Sequence, residues 1–568
     1  MPEDLSKPVQ DFDRSRIQSR KVNRALWRRS IGATIAEQRG GRAGTRSSSQ
    51  GAPFEREIMY LTQSLHRDML TRPDDIATIT GDRRRTVREL HDRVSRLAGA
   101  LQRLGISKDD RVAYLGRNSD YFHEFYLGTF WADAVVNPVN TRWSAKEIAY
   151  SLDDSSTRVI IADETIRPHL DEIRALYPHV RALIWTGSEP APAGAILYED
   201  VLDGATPVAD ARRGGESLAG LFYTGGTTGF PKGVMLSHAN LFVGALGSCI
   251  GRFVTPGATF LHAAPMFHLA DFGAWAITTL TGGIHVSAPS FEPEQVFEAI
   301  RRHNVTHTLL VPAMLQMLVD SPLRPHADMR SLRQISYGGS TITQAVLERA
   351  QDAWPHVAFV QAYGQTELSP VTALLGPQDH VAPAPKTRLR SAGVAAPHSE
   401  IRIVDPASGA TLPPNEVGEI VSRGGHVMLG YWNRPEETAQ AIRDGWLHSG
   451  DLGYLDQDGY LFVVDRLKDM VISGGENVFS AEVENALAKH RAVAACAVIG
   501  LRDDKWGERV HAVVVLKAGE AATESELRDH ARQFVAGYKV PRSMEFVDAL
   551  PLTSTGKVQK TTLRERYR

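Results

Sequence analysis

From Ile76 onward the chain alternates two hydrophobic rhythms. Helix-type patterns run over residues 87–104 and 121–132, and a third, started by Pro293, runs through Ile300. Between them lie short apolar runs that read as strands, at 112–115, 159–162, 182–185, 218–223, 260–264, 284–287, 308–311, 335–337 and 359–363. Alternation of this kind predicts an α/β fold with mixed α+β layers: a large, multi-layer N-terminal domain of β-sheets packed by helices. Near residues 464–468 the pattern changes. A shorter α/β segment follows, with helices at 481–488 and 524–535 and strands at 494–499, 510–516 and 544–547. The expected division is therefore a large domain over 59–464, a hinge over 465–469 and a small, mobile C-terminal domain over 470–568.

The first 55 residues are different. They are rich in arginine, serine and glycine, and the stretch from Gly40 to Ser49 is close to low complexity, so the segment has nothing with which to build a core. A mitochondrial transit peptide is disfavoured by Glu3, Asp4, Asp11 and Asp13, because such peptides avoid acids. Residues 1–58 are read as a disordered tail or as a mis-assigned start, with Met59 as the alternative first residue.

At 568 residues with 42% hydrophobic content the chain is long enough for more than one core. A net charge of −2 gives no general attraction to nucleic acid or to an anionic membrane. The two cysteines, Cys249 and Cys496, form neither a disulfide framework nor a zinc pattern. No apolar run approaches the roughly 20 residues that span a bilayer. A cytoplasmic protein is expected.

Candidate chemistry begins at Tyr223-Thr224-Gly225-Gly226-Thr227-Thr228-Gly229-Phe230-Pro231-Lys232-Gly233-Val234. Glycines let backbone N–H groups close on an anion, and threonine hydroxyls and one ammonium add donors, so the stretch reads as a phosphate loop between two apolar runs. A Walker A loop is excluded, since Phe230 and Pro231 separate Gly229 from Lys232 and Gly233 follows. Further along, Gln361-Ala362-Tyr363-Gly364-Gln365-Thr366-Glu367 sets a carboxylate just past a strand end, where Glu367 can hold magnesium through one oxygen. Asp451, in Trp446 to Gly453, is suited to accept both hydroxyls of a ribose, and Arg466 to contact the same ribose or a phosphate. A histidine such as His268 is more often structural than catalytic, and Asp271 beyond it is an odd acid among apolar neighbours.

Tyr223 to Gly233 resembles the signature loop of the adenylate-forming superfamily, which includes acyl-CoA synthetases, peptide-synthetase adenylation domains and firefly luciferase. Gly225 stands where the family often has serine or threonine. The resemblance extends over roughly residues 61–563 with the motifs in family order, and it implies roles for them. Thr224, Gly225, Gly226, Thr227, Thr228, Gly229 and Lys232 would hold ATP phosphates, with Thr224 and Glu367 at the Mg2+ ion. Gly339, Gln361, Ala362, Tyr363 and Thr366 would border the adenine nucleotide, and Asp451 and Arg466 its ribose. His268, Phe272 and Gly338 would border the acyl pocket. Gly474 and Gly475, in Ser473 to Val478, would flank the pantetheine of CoA, Lys468 would be the hinge, and Lys557 would reach the carboxylate and α-phosphate during adenylation.

The resemblance implies an acid–thiol ligase that uses ATP and CoA, with Lys557, Glu367 and Lys232 as catalytic residues and a hydrophobic carboxylic acid, fatty or related, as substrate. A substrate carboxylate with a pKa of about 4–5 is already ionised, so its attack needs no general base. A peptide-synthetase unit is disfavoured because no carrier domain follows Arg568 and no aspartate near His268 is placed to hold an α-amino group. An acyl-AMP ligase that loads a carrier protein is the alternative, as is a non-catalytic nucleotide-binding regulator, against which the joint presence of Lys557, Glu367, Asp451 and Arg466 speaks. No nucleic-acid partner is expected; peripheral membrane contact and a homodimer are left open.

Overall fold

The apolar runs become strands without an exposed residue, as in Val159–Ala162, Ala182–Trp185 and His307–Leu310. Strands of that kind need cover on both faces and pair in parallel. The computed structural model describes residues 59–224, 231–340, 342–552 and 558–567, and within them such strands form the interiors of two large sheets.

The first sheet has nine strands. Six parallel strands, Ala358–Tyr363, Gln334–Gly338, His307–Leu310, Thr259–His262, Ile284–Ser287 and Ile76–Thr80, lie side by side in that order. Antiparallel strands close both edges. The second sheet has eight strands. Its parallel part runs from Leu218–Thr224 through Val135–Pro138, Arg111–Leu115, Val159–Ala162 and Ala182–Trp185 to Ile196–Leu197. Lys232–Ser237 pairs antiparallel with Leu218–Thr224, so the two strands flanking the expected phosphate loop are neighbours.

Helices fill the layers between sheets. Val87–Arg103 starts with a capping box in which Thr86 and Glu89 exchange hydrogen bonds, and it buries Leu90, Val94, Leu97 and Leu101 on one stripe. Asp120–Trp131 is buried at every position but Tyr121, as expected of a helix enclosed on all sides. Both helices join the largest core cluster. Among the described residues no helix is long and apolar enough to cross a membrane.

A third sheet was not foreseen. Glu400–Val404, Gly418–Arg423, Trp446–Leu455, Ile442–Arg443 and Leu461–Arg466 form it, all antiparallel. Leu461–Arg466 then runs into the single turn Leu467–Asp469, after which a fourth sheet, also of five strands, is built on the long hairpin Val493–Asp503 and Gly507–Leu516. The helix expected over 524–535 is shorter, Glu524–Ala531, and the strand expected over 494–499 is longer. The large N-terminal domain of sheets and helices and the small C-terminal α/β domain are thus present. They are bonded near the turn: Asp465 Oδ2 accepts from Ser480 Oγ at 2.8 Å, and Arg564 donates to Asp469 Oδ1 at 2.9 Å.

Candidate active site

The strand ends of both large sheets carry the singled-out residues. Thr224 is the last residue of its strand and pairs in register with Lys232, the first of the next. Gly225, Gly226, Thr227, Thr228 and Gly229 lie outside the described residues. Beside the hairpin, the Tyr223 hydroxyl donates to Asp154 Oδ2 at 2.7 Å, and the Trp432 indole donates to the Asp154 carbonyl at 2.9 Å. Lys232 itself is ion-paired with Glu437, and its ammonium sits 5.1 Å from the centre of the Tyr431 ring.

Glu367 belongs to the single turn Thr366–Leu368 that follows the Ala358–Tyr363 strand. Its side chain is buried, and Oε1 accepts from the Tyr431 hydroxyl at 2.8 Å. Burial pushes the carboxyl above its ordinary range, while the Tyr431 hydrogen bond and the nearby charges of Arg466 and Lys232 pull it back. Tyr431 and Glu437 were not singled out in the sequence, yet they link Glu367 to Lys232.

Four residues earlier, the Tyr363 hydroxyl donates to Asp451 Oδ2 at 2.8 Å. Arg466 Nε lies 3.2 Å from Asp451 Oδ1, and the two residues are register partners in the third sheet. Three motifs distant in sequence therefore meet at one carboxylate. Gly338 pairs with Ala362 across neighbouring strands, and a Cβ at Gly338 would lie 2.4 Å from the Ala362 carbonyl oxygen, so no side chain fits there. Gly339, with φ +80°, turns the chain out of the sheet. Gln361 accepts a long hydrogen bond of 3.4 Å from the Tyr337 hydroxyl.

The strand expected over 260–264 ends at His262, because the next residues leave the sheet for Asn118. Asn118 donates to the carbonyls of His262 and Ala264 at 3.0 and 2.8 Å and accepts from the Met266 N–H at 2.8 Å; Tyr126 donates to the Met266 carbonyl at 2.6 Å. This clamp positions His268 as the N-cap of helix Leu269–Leu280. Phe272, expected at the acyl pocket, is fully buried, packed at ring-centre distances of 4.9 to 5.3 Å on Tyr126, Trp275 and Phe222. Asp271 is also buried, against His262.

In the small domain, Gly474 and Gly475 (φ +65° and +83°) are the two-residue turn joining Val471–Ser473 to Glu476–Val478. A Cβ at Gly474 would meet Trp506 at 2.8 Å, whereas Gly475 faces open space. Lys468 is exposed in its turn, and partial desolvation, its largest influence, lowers it to about 8. Lys557 lies outside the described residues; the flanking Leu552 and Val558 form an antiparallel bridge.

Residues 65–432 match the family described as AMP-binding enzyme, and residues 482–557 match the AMP-binding enzyme C-terminal domain. A feruloyl-CoA synthase from Amycolatopsis sp is 41% identical over 483 residues, covering 85% of this chain and 94% of that protein. The fatty acid–acyl-carrier-protein ligase ScoC of Streptomyces coeruleorubidus is 34% identical over 90% of this chain and 97% of its own length. The crystal structure of ATP-bound MatB from Rhodopseudomonas palustris shares the fold with a TM-score of 0.80 at 31% identity, covering 90% of this chain and 99% of that one. The chain belongs to the AMP-binding enzyme family, in the branch of adenylate-forming enzymes where its acyl-CoA synthetase relatives lie.

Proposed function

We propose that this enzyme joins a hydrophobic carboxylic acid, fatty or aromatic, to CoA in two steps. A carboxylate oxygen attacks the α-phosphorus of ATP and pyrophosphate leaves; the CoA thiol then attacks the acyl carbonyl and AMP leaves. The observation behind this reading is the meeting of Tyr363, Asp451 and Arg466 within hydrogen-bonding distance, with Glu367 in electrostatic reach of Arg466 and Lys232. One carboxylate with a cation beside it suits a ribose, and the neighbouring acid and lysine suit a polyphosphate.

Asp451 accepts from the ribose hydroxyls, Arg466 steadies the same end of the nucleotide, and Gly339, Gln361, Ala362, Tyr363 and Thr366 border the adenine nucleotide. Lys232 and the 224–229 segment face the phosphates. Lys557 approaches the carboxylate and α-phosphate, where charge develops, and fixed donors act there by electrostatic preorganisation. Glu367 fits a magnesium ion: it is a buried hard-oxygen ligand, one of its oxygens is held by Tyr431, and burial opposes its charge until a cation arrives. Such an ion, with Glu367 and Thr224 as its protein partners, supplies neutralising charge for the phosphates. His268, Phe272 and Gly338 border the acyl group, and the Gly474–Gly475 turn flanks the CoA arm.

The aromatic option rests on the feruloyl-CoA synthase relative and the fatty option on ScoC, whose name as an acyl-carrier-protein ligase also supports a second reading with a carrier protein as acceptor. Pyrophosphate release is measured over graded fatty acids and hydroxycinnamates, with and without CoA. Acid-dependent release with thioester formed only when CoA is present is the expected result. An adenylate that CoA leaves intact and a phosphopantetheinylated carrier discharges would move the acceptor to the second reading. No acid-dependent release at all would leave a nucleotide-binding regulator.

A further inference from the structure

Asp271, which the reaction does not use, is one end of a buried polar cluster. Its Oδ2 lies 2.6 Å from His262 Nδ1, His262 Nε2 lies 3.0 Å from His285 Nδ1, and His285 Nε2 lies 3.2 Å from Thr279 Oγ1. A third imidazole, His123, has its ring centre 4.4 Å from that of His285 and 5.2 Å from that of His262. One nitrogen from each of the three histidines lies within 4.8 Å of the others, and all three residues are buried. They come from three elements: helix Asp120–Trp131 and strands Thr259–His262 and Ile284–Ser287.

Two further observations point to a missing guest. His123 Nε2 and Asp271 Oδ1 are buried with no hydrogen-bond partner among the described residues. His123 and His285, with Trp275 and Thr279, also line a cavity of about 30 Å³. A purely apolar core has no use for three imidazoles, and buried polar atoms without partners are destabilising. We propose that His123, His262 and His285 bind a single divalent transition-metal ion of the zinc class, with Asp271 orienting His262.

The donor set fits. Neutral imidazole nitrogens suit zinc. Asp271 accepting the His262 Nδ1 proton leaves the Nε2 lone pair free, and Thr279 accepting a His285 Nε2 proton leaves Nδ1 free, which is how carboxylate and hydroxyl neighbours prepare imidazole ligands. Three nitrogens on one ion stand about 3.3 Å apart at tetrahedral angles, so the 3.0 Å between His262 and His285 is nearly right and His123 closes the remaining gap. His123 has one obstacle. Its Nδ1 lies 2.7 Å from the Trp275 indole nitrogen, whose N–H it accepts, placing the imidazole proton on Nε2. Ligation through Nε2 moves that proton to Nδ1 and releases Trp275: one hydrogen bond is lost against three metal–nitrogen bonds gained. The ion would join the helix and two strands behind the clamped segment 263–268.

The test uses the full chain without a histidine tag, dialysed and then assayed for bound metal, with Co2+ added to the metal-free protein as a spectroscopic probe. About one equivalent of tightly held metal per chain, a tetrahedral Co2+ absorption band, and loss of both in folded His123→Gln and His285→Gln are expected. Trp275→Phe removes the competing donor and keeps all three ligands, so it should bind Co2+ several-fold more tightly; an unchanged or weaker affinity overturns the geometry. Wild-type protein that is folded and takes up no Co2+, or full stoichiometry retained in both histidine variants, overturns the site itself.

Discussion

Lys232 faces two demands. In the structure its ammonium is engaged by Glu437, with about a third of each side chain exposed, whereas in the proposed reaction it meets phosphate. A partly exposed ion pair is worth only about 0.2–1 kcal/mol, and a hydrogen bond to a charged group about 1.5–3 kcal/mol, so phosphate wins the lysine and Glu437 slightly opposes that exchange. Glu437→Gln is therefore expected to tighten ATP binding by up to about fivefold, while Lys232→Ala weakens it by about tenfold or more. Calorimetric titration of both variants reads the opposite signs; weaker binding in Glu437→Gln would make Glu437 a residue that positions Lys232 rather than one that competes for it. Neither Glu437 nor Tyr431 was legible in the sequence, because each meets its partner across a long stretch of chain, with no local period to mark the contact. Asp451, Arg466 and Tyr363 were legible as separate motifs. Their meeting at one carboxylate needed the register of the third sheet.

Among the strands, continuous apolar runs are the easiest to read and mixed ones the hardest. Most of the parallel strands were readable because they are continuous apolar runs, whereas Ile76–Thr80 and Val135–Pro138 were not, since threonines interrupt the first and Asn137 and Pro138 cut the second to two valines; the third sheet was missed because its strands are mixed, as in Glu400–Val404, whose first residue is exposed and whose last two are buried. Helix His238–Ile250 carries a consequence of such burial. His238, in its first turn and 1% exposed, is lowered to about 3 chiefly by burial and then by Arg213. The folded chain therefore keeps it neutral while the unfolded chain protonates it near 6.5. Its contribution is fully present above pH 6.5 and is lost as pH falls toward 3, amounting to about 2 kcal/mol at pH 5. Urea midpoints at pH 7 and pH 5 should differ less in His238→Gln than in the wild type, and an equal difference would assign the acid sensitivity elsewhere.

The chain passes from the third sheet to the small domain through the turn Leu467–Asp469. Proline at 468 fixes φ near −65° and removes an N–H, so a residue that changes its dihedrals between two domain arrangements would be held in one. Lys468→Pro is expected to let acyl-AMP accumulate while CoA no longer discharges it. Single-turnover assays of each step on folded protein check this, and thioester formation at the unmodified rate would remove Lys468 as the pivot.

Across the whole molecule, the proposed reaction has one cleft serve two chemistries in turn. In the proposed reaction, adenylation needs positive charge at the α-phosphate and carboxylate and thioester formation needs that space open to a thiol, so the small domain would present Lys557 for the first and the Gly474–Gly475 turn for the second. Timing the two half-reactions separately in Lys557→Ala tests this division of labour. Loss of a well-placed charge donor removes about 3–4 kcal/mol of transition-state stabilisation, so acyl-AMP formation should slow by several hundred-fold, while CoA should discharge supplied acyl-AMP at nearly the wild-type rate. Equal slowing of both steps in folded Lys557→Ala protein would show that Lys557 is not specific to adenylation.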